Sequence, residues 1–115
     1  MTEEETRLNE MGWEISGTII NRNGSHTDRN GVTYYGKMFA PCKDLNDTAL
    51  VEQAMVEKGW DYTVMSTKAE EQVKTVACFF SKPKHPTAVA EAPLDQKALA
   101  IMRAIEKAVE SEGKG

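Results

Sequence analysis

Glu10-Met11-Gly12-Trp13-Glu14-Ile15-Ser16 returns later in the chain as Glu57-Lys58-Gly59-Trp60-Asp61-Tyr62-Thr63. The two phrases hold the only two tryptophans of the protein, each directly after a glycine that follows a helix-like run. A glycine just past a helix takes the left-handed conformation that ends it, since no Cβ opposes a positive φ. With Gly12 and Gly59 at that place, Trp13 and Trp60 fall one residue further on, and Leu8 and Met55 fall where such a stop places its apolar contact. Both phrases therefore predict a helix-to-strand corner under a buried tryptophan lid, and together they predict a duplicated helix–strand–strand unit.

Working outward from the first phrase, residues 3–11 read as a short helix with acidic residues in its first turn, where the helix dipole favours them. From Trp13 the period changes to two, with Trp13, Ile15, Gly17 and Ile19 on one face and Glu14, Ser16 and Thr18 on the other, the pattern of a half-buried strand. Residues 21–31 hold no apolar side chain and read as one long hairpin loop. Strand composition resumes over 32–40 with Val32, Thr33, Tyr34, Tyr35 and Phe39, and Pro41 closes it.

Around the second phrase the spacing of Leu45 and Leu50 predicts a hydrophobic staple about an N-cap at Asn46. Leu50, Val51, Ala54 and Met55 form the apolar face of that helix. Trp60, Tyr62 and Val64 alternate with Asp61, Thr63 and Met65 as a strand; residues 66–72 read as a polar turn. Residues 73–80 form a strand apolar on both faces, which belongs in the middle of a sheet. Residues 81–93 carry three prolines and read as a surface connector. Leu94, Ala98, Ile101, Ile105 and Ala108 trace the buried stripe of a last helix over about 94–110, and 111–115 should fray. The expected fold is a single-domain α/β (α+β) protein. Its two hairpins, from repeats at 3–41 and 49–83, make one four-stranded antiparallel sheet, with the helices packed on it.

The second half also resembles the phage ABA sandwich domain family over roughly residues 49–110. The resemblance rests on Ala49-Leu50-Val51-Glu52-Gln53-Ala54-Met55 leading to Gly59-Trp60, on the two strands that follow, and on Ala100-Ile101-Met102-Arg103-Ala104 opening the closing helix, with Thr87-Ala88-Val89-Ala90 before it. The first half lacks the tryptophan-rich segment of many members. The resemblance implies a phage or prophage origin and a layered fold, and brings no activity or site residue with it.

At 115 residues and 12.8 kDa, with 40% hydrophobic and 28% charged residues, the composition is that of a globular domain able to bury a core. A net charge of −4 and a pI near 5.2 argue against bulk electrostatic binding of nucleic acid. The start of the chain lacks the features of a secretory signal, no run is long and apolar enough to span a bilayer, and a cytoplasmic location is expected. Cys42 and Cys78 are too few for a disulfide framework and read as reduced thiols.

Candidate chemistry is thin. Cys42, Cys78, His26 and His85 lack close metal-ligand spacing, so no metal or other cofactor is expected. A Cys–His nucleophile pairing Cys42 or Cys78 with His85 needs an open, electropositive thiol, and Cys78 sits mid-strand. Glu3-Glu4-Glu5 and Glu70-Glu71 read as solvated carboxylates rather than an acid–base pair. The most informative surface is the 21–31 loop and its flank, where Arg22, Asn23, His26, Arg29, Tyr34 and Tyr35 are the candidate binding residues. Arginine donates bidentately to carboxylate or phosphate, and tyrosine anchors protein interfaces or stacks on bases. The expected function is a non-enzymatic, phage-type accessory protein that binds another protein, such as a host defence or nucleic-acid-processing complex, and inhibits it. The alternative is a nucleic-acid-binding module that uses the loop together with the rim from Lys82 to His85.

Overall fold

The helix that contains the first Gly-Trp does not stop there. The computed structural model describes residues 2–69 and 73–113, and in it α1 runs Glu3–Ser16 without a break. Thr2 caps its start, its side chain accepting from the Glu5 N–H. The stop comes at Gly17, with φ 72°, where Thr18 N–H reaches Trp13 O at 3.0 Å and Gly17 N–H reaches Glu14 O at 3.4 Å. Gly12 is a buried helical residue instead. A Cβ there would lie 2.7 Å from Pro41 Cγ, 3.1 Å from Met102 Cε and 3.3 Å from Val51 Cγ2. Its missing side chain is what lets α1 sit against its neighbours. The expected strand from Trp13 is thus the last turn of α1, and Trp13 is a half-buried helical side chain.

The second Gly-Trp behaves as its pattern predicts. Helix α2 (Leu45–Glu57) ends at Gly59, with φ 99°. Gly59 N–H bonds Val56 O at 3.0 Å and Trp60 N–H bonds Met55 O at 3.1 Å, the paired bonds of a left-handed helix stop. Trp60 and Met55 are both fully buried. The N-cap is Asp44, two residues before the expected Asn46, and its side chain accepts from the Asn46 N–H at 2.9 Å.

Between α1 and α2 lies a small meander: β1 (Ile19–Ile20), β2 (His26–Thr27) and β3 (Thr33–Tyr34), antiparallel in that order. After α2 come β4 (Asp61–Ala69), β5 (Val73–Ser81) and β6 (Ala88–Pro93), a second antiparallel sheet with β5 central, and then α3 (Lys97–Gly113). The fold is α+β with three helices and two three-stranded sheets among the described residues. The expected single sheet of four strands is corrected accordingly. So is the duplicated unit, because the first copy spends its strand-like residues in a longer helix and two short hairpins. The expected connector over 81–93 contains β6, and α3 starts and ends about three residues later than the pattern suggested. The expected turn at 66–72 lies in part inside β4, and its remainder, 70–72, falls outside the described residues.

The core forms where α3 packs on β5 and β6 and meets α1 and α2. The burial of β6 alternates strictly, with Ala88, Ala90 and Ala92 inward. They stand opposite Phe80, Cys78 and Val76 of β5. Alanine is small, so buried alanines on the strand and at positions 98, 100, 104 and 108 of α3 allow a close approach of helix to sheet. On the other face of this sheet Met65 and Val89 are exposed, while Phe79 is half-buried and Ala77 buried. No helix among the described residues is long and apolar enough to cross a membrane.

Candidate binding surface

The lobe between α1 and α2 is built by one device used twice. Asn21 N–H bonds Ser25 O at 2.8 Å and Gly24 N–H bonds Asn21 O at 3.1 Å; Asp28 N–H bonds Val32 O at 2.9 Å and Gly31 N–H bonds Asp28 O at 3.0 Å. Gly24 and Gly31 take φ of 86° and 83°. Each is a three-residue hairpin loop whose last residue must be left-handed, which is why glycine stands there. The polar side chains complete the turns. Asn23 Oδ1 accepts from Ser25 N–H at 3.0 Å, and Asp28 Oδ1 accepts from Asn30 N–H at 2.9 Å and Val32 N–H at 3.1 Å. Two hairpins make three strands where the composition suggested a single loop. The signal was in the sequence: Asn21-Arg22-Asn23-Gly24 is followed by Asp28-Arg29-Asn30-Gly31, and Asn-Gly is the strongest short hairpin mark.

This construction divides the six candidate residues. His26 is buried; its Nδ1–H donates to Lys37 O at 2.9 Å, its ring stacks on Tyr34 at 5.0 Å, and it meets the edge of Phe39 at 5.7 Å. Its Nε2 is buried with no hydrogen-bond partner. Tyr34 donates its hydroxyl to Asp28 Oδ2 at 3.2 Å, and burial together with that carboxylate raises its pKa. Asn23 is spent inside the first turn. Arg29 pairs with Glu57 at the end of α2. Arg22 and Tyr35 stay outward, Tyr35 being 75% exposed. Arg22 and Arg29 occupy equivalent places in the two turns, yet among the described residues only the second reaches a carboxylate.

The lobe also carries large apolar side chains that lie open to solvent. Ile19, Ile20, Val32, Tyr35 and Met38 are all exposed, and together they make up nearly half of the exposed large hydrophobic residues among those described. Ile19 and Ile20 are neighbours in a strand of two residues and point to opposite faces of the meander, so a sheet this small does not bury both. The lobe is tied to the body through Trp13 Nε1, which donates to Phe39 O at 2.9 Å, and through Asp47 Oδ2, which accepts from Ala40 N–H at 2.9 Å. Lys37 adds a bond to Asp44 at 2.9 Å, which raises the lysine pKa and lowers that of Asp44.

The rim from Lys82 to His85 belongs to Trp60. Lys82 Nζ lies 5.7 Å from its ring and 4.0 Å from Glu112, His85 stacks at a tilt 5.5 Å away, and the indole N–H donates to Glu112 Oε1 at 2.8 Å. Lys84, with its φ of 71°, is exposed. Both thiols are buried, and desolvation pushes each up to about 12. Their protons stay on at neutral pH, and the two histidines stack on aromatic rings instead. Glu4 is bound by Arg103 and Glu5 lies 3.4 Å from Lys43, whereas Glu70 and Glu71 fall outside the described residues. No group of three or more potential metal ligands occurs among the described residues. A cavity of about 520 Å³ opens between Cys42, Leu45 and the start of α3, with Glu5, Lys43 and Asp95 in its walls.

Comparison with protein-family models, curated proteins and solved structures returns no match to this chain.

Proposed function

We propose that the protein is a small non-enzymatic accessory protein that binds another protein through the lobe between α1 and α2. The exposed apolar residues Ile19, Ile20, Val32, Tyr35 and Met38 carry this reading, because so many on one small lobe offer apolar area for a partner to cover. Tyr35 is the natural anchor, a large amphipathic side chain that needs little ordering on binding. The acidic balance of −4 favours a basic partner, since complementary potentials steer encounter. A nucleic-acid-binding protein of a host defence or processing complex fits that description. The phage setting rests on the family resemblance of residues 49–110. Nucleic acid itself is the weaker reading: of the cations it needs, Arg29 is paired with Glu57 and Lys82 sits over Trp60 near Glu112.

Affinity capture from host lysate with the native chain and with a Tyr35→Ser, Met38→Ser variant tests the reading. A specific protein held by the native chain and lost by the variant supports it. Equal capture by both places the contact elsewhere, and a salt-sensitive shift of DNA or RNA that disappears on Arg22→Ala favours the nucleic-acid reading.

A further inference from the structure

The two edges of the larger sheet are finished differently. In an antiparallel ladder, a residue either exchanges both backbone bonds with the neighbour opposite it or turns both groups away. Lys107 Nζ donates to Val89 O at 2.7 Å and Arg103 Nη1 donates to Glu91 O at 3.0 Å, so these residues of β6 face away from β5. Pro93, the next residue of that parity, has no N–H to offer. The β6 edge is therefore sealed by two cations from α3 and a proline. The register carries the same parity across the sheet. Phe79 and Ala77, opposite Val89 and Glu91, turn towards β4 and bond Thr63 and Met65. Tyr62, Val64 and Ser66 then point their N–H and C=O groups outward.

Along β4 no side chain of the sealing kind reaches that backbone among the described residues. The strand is nine residues long and has no proline, and Tyr62, Thr63 and Val64 favour extended backbone. On one side of the edge Tyr62 is 40% exposed, and on the other Met65 is 50% exposed. A long, open edge of this composition is a template for another strand, and proteins that do not use such an edge block it. Here one edge is sealed by side chains that bond its backbone, and the other, among the described residues, is not.

We infer that β4 is the pairing edge of a homodimer, joining antiparallel to β4 of a second copy to make one continuous six-stranded sheet. The pairing is self-complementary, because Tyr62, Val64 and Ser66 each present one donor and one acceptor to the same groups of the partner copy. Charge selects the direction. Asp61 is the one charged residue between 61 and 66, and antiparallel pairing sets the two Asp61 carboxylates at opposite ends. Parallel pairing would set them side by side, which is unfavourable. Tyr62 and Val64 of the two copies meet on one face, and Thr63 and Met65 on the other.

Light scattering across a concentration series tests this, with Ser66→Pro as the main variant. That change removes an outward N–H and leaves the bonds to β5 in place. The native chain should approach twice its 12.8 kDa as concentration rises, while Ser66→Pro keeps the single mass with an unchanged circular dichroism spectrum. Met38→Ser, on the lobe, should dimerise as the native chain does. In the native chain the amides of Tyr62, Val64 and Ser66 should exchange more slowly with increasing concentration, a readout that stands even if Ser66→Pro fails to fold. A native chain that stays monomeric throughout, including one whose β4 edge serves a different protein, overturns the proposal. So does a folded Ser66→Pro that still dimerises, or a Met38→Ser that does not.

Discussion

Two glycines before two tryptophans are chemically alike, and they do different work. Gly59 is needed for its backbone, which sits at φ 99° where a Cβ is disfavoured. Gly12 is needed for its size, because Pro41, Met102 and Val51 fill the space a methyl would take. Pro41 Cγ belongs to a closed ring and cannot swing aside as the Met102 methyl can. Gly12→Ala gains about 1 kcal/mol of helix propensity, whereas forcing a methyl into a packed site costs about 1–3 kcal/mol. A net loss of about 1 kcal/mol is expected as a lower midpoint in urea unfolding, and a raised midpoint would mean that the helices can part at no cost. Local pattern favoured the stop at Gly12 because Leu8 has the right spacing for its contact. Leu8 is indeed buried, but it is so within a longer helix.

At the scale of elements, the start of α2 is where charge meets burial. Asp44 and Asp47 lie in the same turn and shift in opposite directions. The bond from Lys37 lowers Asp44, whereas desolvation raises Asp47. For Asp47 the folded state holds its proton more tightly than the unfolded chain does. Stability from this group therefore falls as pH rises from about 4, its ordinary range, through the raised folded value. Asp44 and Glu4 act in the other sense: both are lowered, and the stability they contribute is present above the ordinary carboxylate range and lost as pH drops below it. Asp47→Asn keeps an acceptor for the Ala40 N–H and removes the charge. Its unfolding free energy should vary less with pH through and above the ordinary carboxylate range than that of the native chain, and at neutral pH it should equal or exceed the native value. A variant that tracks the native pH profile would show that Asp47 ionises freely. Strand β6 shows the limit of composition at this scale. Pro83, Pro86 and Pro93 punctuate its surroundings, and alanine carries little strand preference, so Ala88-Val89-Ala90-Glu91-Ala92 read as connector. It is a strand because α3 needs small residues beneath it.

For the whole molecule, the lobe and the body should differ in local stability. The body shares one apolar cluster across α1, α2, α3 and the larger sheet, while the lobe rests on two-residue strands and polar turns. Amides of β1–β3 should exchange at least about tenfold faster than those of β5 and α3, a gap of about 1.4 kcal/mol or more. Equal protection would mean that the lobe opens only when the core does. Much of the second half was legible in advance: α2, its stop at Gly59, the central place of β5 and the stripe of α3 from Ala98 to Ala108 follow from periodicity and a cap, which are local signals. Strand β6 was not, and Leu94, read as the start of the stripe, lies before α3 and is exposed. The first half was not legible, and neither was the fate of the candidate residues. Nothing near Arg29 in the sequence names Glu57, and nothing near His26 names Phe39. By itself the sequence determined where chain reversals are cheap and which faces are apolar, because glycine conformation and hydrophobic spacing act within a few residues. Tertiary structure alone decided that α1 runs through Gly12 and that Tyr35 points out while Tyr34 points in. Those outcomes depend on which distant side chains share the space, and that is set only when the three helices close on the sheet.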